Sequence, residues 1–560
     1  MGILSPDFGD IQLTSRQVYC MKRLFCSLPA LALFLFSAAQ TFTSSNLPVI
    51  VINTNGQTIV DEPKIAADMG IIYNGAGVRN NTTDPFNHYN GKMGIEIRGQ
   101  SSQQFPMKSY SIELRDNAGN SQDKSLFGLP KESDWILYAP YNEKTLMHNF
   151  LAYTMSREMG HWAANCRYVE VIINGDYKGI YVFMEKIKRN AGRVNISKLN
   201  STDITGDAVT GGYIFSIDKD ADAWYSSIKP NSAAVNPGIR FSYVYPKITA
   251  IVNEQKNYIK NYIDSFETVL NSSAYQEKQT GWRKFADENS FIDYFIVNEI
   301  SRNVDGYRLS SYFYKDRQSK GGKIIAGPAW DYDLGFRNAN YCSGSDVTGW
   351  AYQFNQVCAG DFWQIPFWWD KLSSDTAFNS NLRCRWKQLR QTSLSLSHLN
   401  FLIDSIATLT TEARQRHFQR WPVLGQYIWP NPQPIATTYD GEIQTLKTWL
   451  ADRLKWIDAN IPNTGACFDY PANVKESVIF KVFPNPIGDK LMLRVDSRNS
   501  QQLSITIFDA MGRKIIATAY SLNGGRNLFE LPAERWAAGF YFLTYQSGNG
   551  ESGTVKLIKK

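Results

Sequence analysis

The sequence predicts an α+β fold for most of the chain, followed by a small all-β sandwich of immunoglobulin-like type. Short, strand-like alternating patterns dominate residues 47–220, and apolar residues recur at helical spacing from 253 to 461. After residue 478 only short strands with regularly spaced turns remain. Residues 463–477 have the composition of a linker. We therefore expect a body over residues 46–462 and a β-sandwich domain over 478–560.

The N-terminus has the features of an export signal. A basic group at residues 21–23 precedes the apolar run LFCSLPALALFLF and the small residues 37–39. This pattern predicts a signal peptide within residues 1–39, with translation starting at Met21 because the basic region of a signal belongs at its start. The run is too short for a membrane span, and no other stretch offers the ~18 apolar residues a span needs. We expect an exported mature protein without a transmembrane segment.

Composition and cysteine content exclude some classes of protein. A net charge of +7 over 560 residues is too dilute to indicate nucleic-acid binding. Cys342 and Cys358 bracket a loop of small polar residues and are the expected disulfide in an exported chain. Five cysteines follow the signal region, so at least one thiol stays free or pairs between chains. Their spacing fits no zinc site.

The strongest functional pattern lies between residues 298 and 340. A helix end leads into a loop with Asp305, then a β-hairpin (SYFYKD and KIIAG), then Asp331 and Asp333. This layout recurs in phosphoryl-transfer sites, where the first carboxylate orients the acceptor hydroxyl and the second holds Mg²⁺ against nucleotide phosphates. The alternative interpretation is that these are ordinary turn and cap aspartates.

A loop rich in serine and glutamine offers a phosphate-binding segment upstream. The strands GIEIRG and KSYSIEL flank this loop, which contains Ser101 and Ser102, and Lys108 opens the second strand. Backbone amides of such a loop can contact phosphates, and a lysine on the following strand can reach the same oxygens. An ordinary hairpin with a solvent-facing lysine is the alternative.

The stretch after Asn142 predicts a helix with Asn142 as its N-cap and Gly160 at its end. A hairpin around Asn174 follows, and its second strand ends at Glu185. Glu185 is a candidate to bind adenine through its main chain or to brace Lys108; a surface glutamate at a strand end is the alternative. The aromatic cluster FWQIPFWW at 362–369 is interpreted as core, with a sugar platform as the alternative.

Six segments in order resemble the spore-coat CotH kinase family, whose members are exported proteins with an atypical two-lobed protein-kinase-like fold. The segments are IEIRGQSSQQFPMKSYSIEL, NEKTLMHN, NGDYKGIYVFMEKI, GGYIFSIDK, the Asp305 loop and PAWDYDLGF. The resemblance implies ATP and Mg²⁺ (or Mn²⁺) as cofactors. It also implies Lys108 for phosphate binding, Asp305 as the catalytic-loop aspartate, and Asp331, with Asp333, as metal ligand.

The C-terminal region resembles the type A sorting domain of the type IX secretion system of Bacteroidetes. The matching residues are VFPNPIGDKL, IFDAMGRKI, LPAERWAAGFYFLTY and the terminal KLIKK. This implies the type IX machinery as a partner, export through the periplasm and outer membrane, and a secreted or surface location.

Three functions follow as hypotheses. The first is an exported atypical kinase that transfers the ATP γ-phosphate to Ser or Thr of secreted or surface proteins. The second is a non-catalytic surface or coat-assembly protein on a kinase-like scaffold, since Ser310 and Arg337 depart from the kinase pattern. The third, less favoured, is a carbohydrate-active protein with Asp305 and Asp331 as paired acids.

Overall fold

The computed structural model describes residues 42–75, 77–219, 223–230, 238–462, 479–497, 500–511, 513–523, 525–548 and 552–559. The predicted signal peptide (1–39) and linker (463–477) lie outside the described residues.

A closed barrel of seven strands forms the N-terminal part of the body. The elements here are β1 (Ser44–Ser45), β2 (Val49–Asn53), β3 (Ile65–Ile72), β4 (Asn80–Asn81), β5 (Tyr89–Arg98), β6 (Ser109–Arg115), β7 (Asp134–Tyr138), α1 (His148–Glu158), β8 (Cys166–Ile173) and β9 (Asp176–Glu185). The barrel order is β2-β3-β5-β6-β7-β9-β8, and the parallel pairing of β2 with β8 closes it. Alternate residues point inward, so Trp135 and Leu137 fill the interior while Ile136 packs outside against the helices.

The first helix, α1, begins at His148 and not at Asn142, so this prediction from the sequence is wrong. The Glu143 carboxylate folds back and accepts hydrogen bonds from the amides of Thr145 (2.7 Å) and His148 (3.1 Å). Leu146 has a φ of 65°, which no right-handed helix contains. The Glu143 side chain therefore accepts hydrogen bonds at a helix start that lies five residues later than the cap pattern indicated.

A second sheet and a group of helices complete the body. Its elements are α2 (Gly206–Val209), β10 (Tyr213–Ile217), β11 (Ala223–Tyr225), β12 (Arg240–Tyr245), α3 (Asn253–Leu270), α4 (Glu288–Ser301), β13 (Ser311–Lys315), β14 (Ile324–Ala326), α5 (Phe354–Val357), α6 (Trp368–Ser373), α7 (Thr376–Arg390), α8 (Leu396–Leu409), α9 (Thr411–Arg420) and α10 (Tyr439–Asn460). The sheet order is β11-β12-β10-β13-β14, all antiparallel. The predicted hairpin after Asp305 is confirmed as β13–β14.

The body contains two large apolar cores. One fills the barrel, and the other lies among the helices and the second sheet. Although α1 connects two barrel strands, its apolar residues Leu151 and Met155 belong to the helical core. Trp368 and Trp369 are fully buried there, which confirms the core interpretation of the tryptophan pair.

The disulfide prediction is also confirmed. Cys342 and Cys358 are bonded, Cys384 is disulfide-bonded as well, and Cys166 is free and buried. No helix within the described ranges is long and apolar enough to cross a membrane.

The C-terminal part is a two-sheet β-sandwich, as predicted. Its strands are β15 (Ile479–Phe483), β16 (Lys490–Ser497), β17 (Gln501–Asp509), β18 (Lys514–Leu522), β19 (Gly525–Pro532), β20 (Gly539–Ser547) and β21 (Ser552–Lys559). Sheets β15-β16-β19 and β18-β17-β20-β21 enclose one apolar core. At the edge, the Asn485 side chain donates to the Lys556 carbonyl and accepts from the Ile558 amide, each at 2.9 Å.

Candidate active site

The two acidic groups predicted from the sequence lie on loops that the β13–β14 hairpin brings together. Asp305 follows the C-terminus of α4, and Asp331 and Asp333 follow β14. Helix α4 ends at Arg302 in the left-handed conformation, which turns the chain into the Asp305 loop. At the far end of that loop, the Ser310 hydroxyl donates to Asp331 Oδ2 at 3.3 Å. The loops therefore meet at a direct side-chain contact.

Asp305 has one carboxylate oxygen held and the other open. Arg308 Nη2 donates to Asp305 Oδ1 at 2.7 Å. Arg308 is itself 3% exposed, contacts Asp361 Oδ1 at 3.1 Å and lies 4.1 Å from the centre of the Phe354 ring. Asp305 is 22% exposed, and its Oδ2 accepts no hydrogen bond from the described part of the chain. One oxygen is thus oriented by a buried arginine, while the other is left without a hydrogen bond within the described residues.

Side chains of helix α1 hold the backbone of residues 331–333, the segment that carries the second acidic group. The contacts are the Asp331 amide to the Tyr153 hydroxyl (3.2 Å), the Tyr332 amide to Asn149 Oδ1 (2.7 Å) and His148 Nδ1 to the Asp333 carbonyl (3.3 Å). Three consecutive backbone groups are therefore fixed to one helix, which sets the direction of the two carboxylates.

Unfavourable backbone conformations concentrate at this site. Of the twelve non-glycine residues with φ between 45° and 81° in the described parts of the chain, six lie here, namely Arg302, Tyr307, Ser310, Asp331, Phe336 and Arg337. Each left-handed residue costs roughly 1–2 kcal/mol unless its surroundings compensate. Such residues collect where a precise geometry is needed for function, and here they bracket the acidic loops.

The carboxylates of the site repel one another. Burial, followed by the charge of Asp305, raises the pKa of Asp331, while Arg98 and the Ser310 hydroxyl oppose the rise. Burial and the charges of Asp331, Asp305 and Glu143 raise the pKa of Asp333 well above its usual range. The described groups therefore leave an excess of negative charge, which a cation would relieve.

Arg98, at the end of β5, is the cation that faces this group. Its guanidinium lies 5.6 Å from the centre of the Trp330 ring, and Trp330 directly precedes Asp331. Arg98 pairs in register with Ser109, the residue after Lys108. Arg98 thus lies between the predicted phosphate-binding loop and the acidic segment. The sequence did not predict a role for Arg98 at this site.

The loop with Ser101 and Ser102 forms a short 3₁₀ turn, Ser101–Gln104. The Lys108 ammonium donates to the Gln103 carbonyl in this turn, and no ion pair of Lys108 is present among the described residues. Gly99 has a φ of 98°, and a Cβ there would lie 2.0 Å from Ser102 Oγ. The left-handed φ therefore favours glycine at residue 99, and Lys108 contacts the turn at Gln103.

Glu185 is fully buried, and its side chain contacts Asn165 and Arg193. Its carboxylate accepts from the Asn165 amide (2.9 Å) and side chain (2.8 Å), and its Oε1 lies 3.7 Å from Arg193 Nε. Its own amide donates to the Asn165 carbonyl at 3.3 Å. The structure thus joins Glu185 to Asn165 and Arg193 and not to Lys108. A role in nucleotide binding stays a prediction for its main chain alone.

Tyr138 is a further group that the sequence did not reveal. Its hydroxyl is buried without a hydrogen-bond partner in the described structure. Burial, with the charges of Asp333, Glu143 and Asp331, raises its pKa well above the ordinary value. A buried, unpaired hydroxyl beside three acids is a polar group that a ligand could satisfy.

The donor set is compatible with Mg²⁺. Within the described ranges, no group of three or more His, Cys, Asp or Glu side chains is arranged to hold a metal ion. Mg²⁺ needs no such group, because it is usually bound by one or two carboxylates together with water and substrate phosphates. Asp331 and Asp333 supply two repelling carboxylates, so their chemistry fits the ion.

These features describe an α+β protein with a partly buried acidic site and a β-sandwich tail. The family model described as CotH kinase protein matches residues 95–457. Because this match covers more than half of the sequence, the chain belongs to the CotH kinase protein family. No curated protein matches the chain.

The β-sandwich also matches a family model. The model described as secretion system C-terminal sorting domain matches residues 481–560. The chain is therefore directed to the type IX secretion machinery, and it is exported to the cell surface or beyond.

Proposed function

We propose that this protein is an exported kinase that transfers the γ-phosphate of ATP to Ser or Thr hydroxyls of secreted or surface proteins. The observation that carries the proposal is the meeting of the Asp305 loop with the segment of Asp331 and Asp333, through the hydrogen bond from the Ser310 hydroxyl to Asp331 Oδ2 at 3.3 Å. Burial, followed by the charges of neighbouring acids, raises the pKa of both Asp331 and Asp333. Membership of the CotH kinase protein family supports the same class of reaction.

Asp305 has the features of the group that receives the acceptor proton. Its Oδ1 is fixed by Arg308 and its Oδ2 is open. An acceptor hydroxyl that donates to Oδ2 would be oriented for attack and would pass its proton to Asp305 as the new P–O bond forms and the bond to ADP breaks.

The remaining residues would bind the nucleotide phosphates. When bound, Mg²⁺ neutralises phosphate charge, and Asp331 with Asp333 would hold it. Arg98 and Lys108 flank the loop of Ser101 and Ser102 and would face the same oxygens. Such a site acts mainly through positioning and electrostatic stabilisation.

The test is transfer from labelled ATP, with Mg²⁺ or Mn²⁺, by the mature full-length protein. We expect Asp305→Asn to lower the transfer rate by roughly 10²–10⁴-fold, the usual contribution of a positioned base, while nucleotide still raises Tm. Asp331→Ala is expected to abolish transfer and also the Mg²⁺-dependent rise in Tm with ATP.

A matched control is Asp452→Asn, which changes an exposed aspartate on α10 and is expected to behave as wild type. Undiminished transfer in either site variant would refute the assignment. A wild-type protein that binds neither nucleotide nor Mg²⁺ would favour a non-catalytic surface role, for which Ser310 and Arg337 at kinase-motif positions are the structural basis.

A further inference from the structure

A small charged cavity adjoins the residues that support Asp333. Its lining includes Lys144, Arg337 and Glu442, together with His148 and Asn338. His148 and Asn338 both hydrogen-bond the Asp333 carbonyl, at 3.3 and 2.8 Å. The free space is about 30 Å³, roughly the room that two water molecules need. The cavity is therefore separate from the acidic site but shares a wall with it.

The two cations of this cavity have no acidic partner in contact. Lys144 is 4% exposed; its ammonium donates to the Gln426 carbonyl. Arg337 Nη2 donates to the Pro434 carbonyl at 3.0 Å. Neither cation, nor Glu442, forms an ion pair within 4.0 Å in the described part of the chain. A buried cation without a paired anion is unfavourable.

Both cations also keep unused hydrogen-bond donors. Lysine carries three N–H donors and arginine five, and the described contacts use one of each. Burial lowers the pKa of Lys144 and of Arg337, while the charge of Glu442 raises both. Glu442 therefore acts on the two cations from beyond ion-pair distance, and neither cation has an anion in contact.

We propose that this cavity binds a small oxyanion, a phosphate or a carboxylate group, between Lys144 and Arg337. An oxyanion accepts charge-assisted hydrogen bonds from both cations at once and replaces their missing partner. The free space suits a small group of this kind. Partly exposed lining residues, Arg337 and Glu442 among them, leave the site open to solvent, so a larger ligand could insert one such group.

The experiment measures the thermal unfolding of the mature full-length protein, without nucleotide, against increasing inorganic phosphate and, separately, acetate. Ionic strength is held constant with chloride. We expect a saturable rise in Tm with at least one of the two anions. Lys144→Met and Arg337→Gln are each expected to weaken the apparent affinity roughly ten- to hundredfold, the loss of one charged hydrogen bond.

Matched variants separate charge from structure. Lys144→Arg and Arg337→Lys keep the positive charge and are expected to retain binding, and Glu442→Gln removes the repelling carboxylate and is expected to tighten it. If Lys144→Met fails to fold, Arg337→Gln carries the test, because Arg337 is partly exposed. Asp331→Ala, which tests the proposed kinase site, is expected to leave this binding unchanged.

Two results would overturn the proposal. They are the absence of a saturable effect with either anion and an undiminished affinity in Arg337→Gln. If Lys108→Met loses binding while Arg337→Gln does not, the anion binds at the predicted phosphate loop instead.

Discussion

At the scale of single residues, the sequence revealed the acids of the site but not their partners. Asp305, Asp331 and Asp333 were predictable because a loop, a hairpin and an acidic segment have a recognisable spacing. Arg98 and Tyr138 were not, since both reach the acids from barrel strands far away in the sequence. Arg308 was missed for another reason. An arginine three residues after an aspartate is too common to indicate an ion pair between the two.

The raised pKa of Asp333 leads to a prediction about stability. Because the folded protein holds this proton more tightly than the unfolded chain does, stability falls as the pH rises from the ordinary pKa of 3.8 towards the raised value. Asp333→Asn removes the repelling charge. We expect the variant, in the presence of EDTA, to have a Tm a few degrees above wild type at pH 7 and nearly equal to it below pH 3.8.

The measurement is thermal unfolding followed by circular dichroism at both pH values. Asp123→Asn, at an exposed position in the loop before β7, provides the control and is expected to shift Tm little at pH 7. A lower Tm for Asp333→Asn than for wild type at pH 7 would contradict the prediction. It would also show that the Asp333 side chain stabilises the folded protein at this pH instead of destabilising it.

At the scale of elements, patterns along the chain predicted strands, helices and the β13–β14 hairpin, but not the closure of the barrel. Closure depends on the parallel pairing of β2 with β8, for example Val49 opposite Glu170. No periodicity within either strand reports a partner more than a hundred residues away. The start of α1 was misplaced because Asn142 and Glu143 have the composition of a helix cap, whereas the Asn142 side chain hydrogen-bonds Asp333 and the Glu143 carboxylate accepts from the amides of Thr145 and His148.

One buried ion pair joins three elements behind the Asp305 loop. Arg453 on α10 is fully buried and contacts Glu299 on α4 at 3.1 Å, as well as the carbonyls of Val347 and Gly349. The two carbonyls belong to the loop that the Cys342–Cys358 disulfide closes. Arg453 therefore fixes the C-terminal half of α4, from which the Asp305 loop emerges.

We expect Arg453→Met to destabilise the protein by about 3–5 kcal/mol, the usual result of removing one partner of a buried pair. Glu299 would then remain as an uncompensated buried charge. Chemical denaturation measures the loss. Lys455→Met, on the exposed face of the same helix, is the control and is expected to change stability by less than about 0.5 kcal/mol. A loss of similar size in both variants would contradict the role assigned to Arg453.

At the scale of the whole molecule, the sorting domain was predictable from the change to short strands after the linker and from the particular residues of the tail. The arrangement of the body as two cores was not predictable, because α1 lies between barrel strands in sequence but packs in the other core.

Export should depend on the fold of the sandwich. Leu491 on β16 is fully buried in its core, whereas Leu528 on β19 of the same sheet is 55% exposed. Leu491→Asp places an unpaired charge in the core, which the sandwich cannot accommodate. We expect this variant to accumulate inside the cell envelope, and Leu528→Asp to reach the surface or medium as wild type does.

The measurement is the fraction of protein outside the outer membrane in a bacterium with type IX secretion. Normal export of Leu491→Asp would show that the machinery reads a linear segment and not the folded domain.

The attachment of residues 331–333 to α1 has a consequence for motion. The acidic segment and α1 form one rigid piece within the helical core, whereas Arg98 and Lys108 belong to the barrel. The chain passes between barrel and α1 only through residues 139–147 and 159–165. Any widening of the gap between Arg98 and Asp331 must therefore change the backbone of these two connections, together with the chain that leaves the barrel after Glu185.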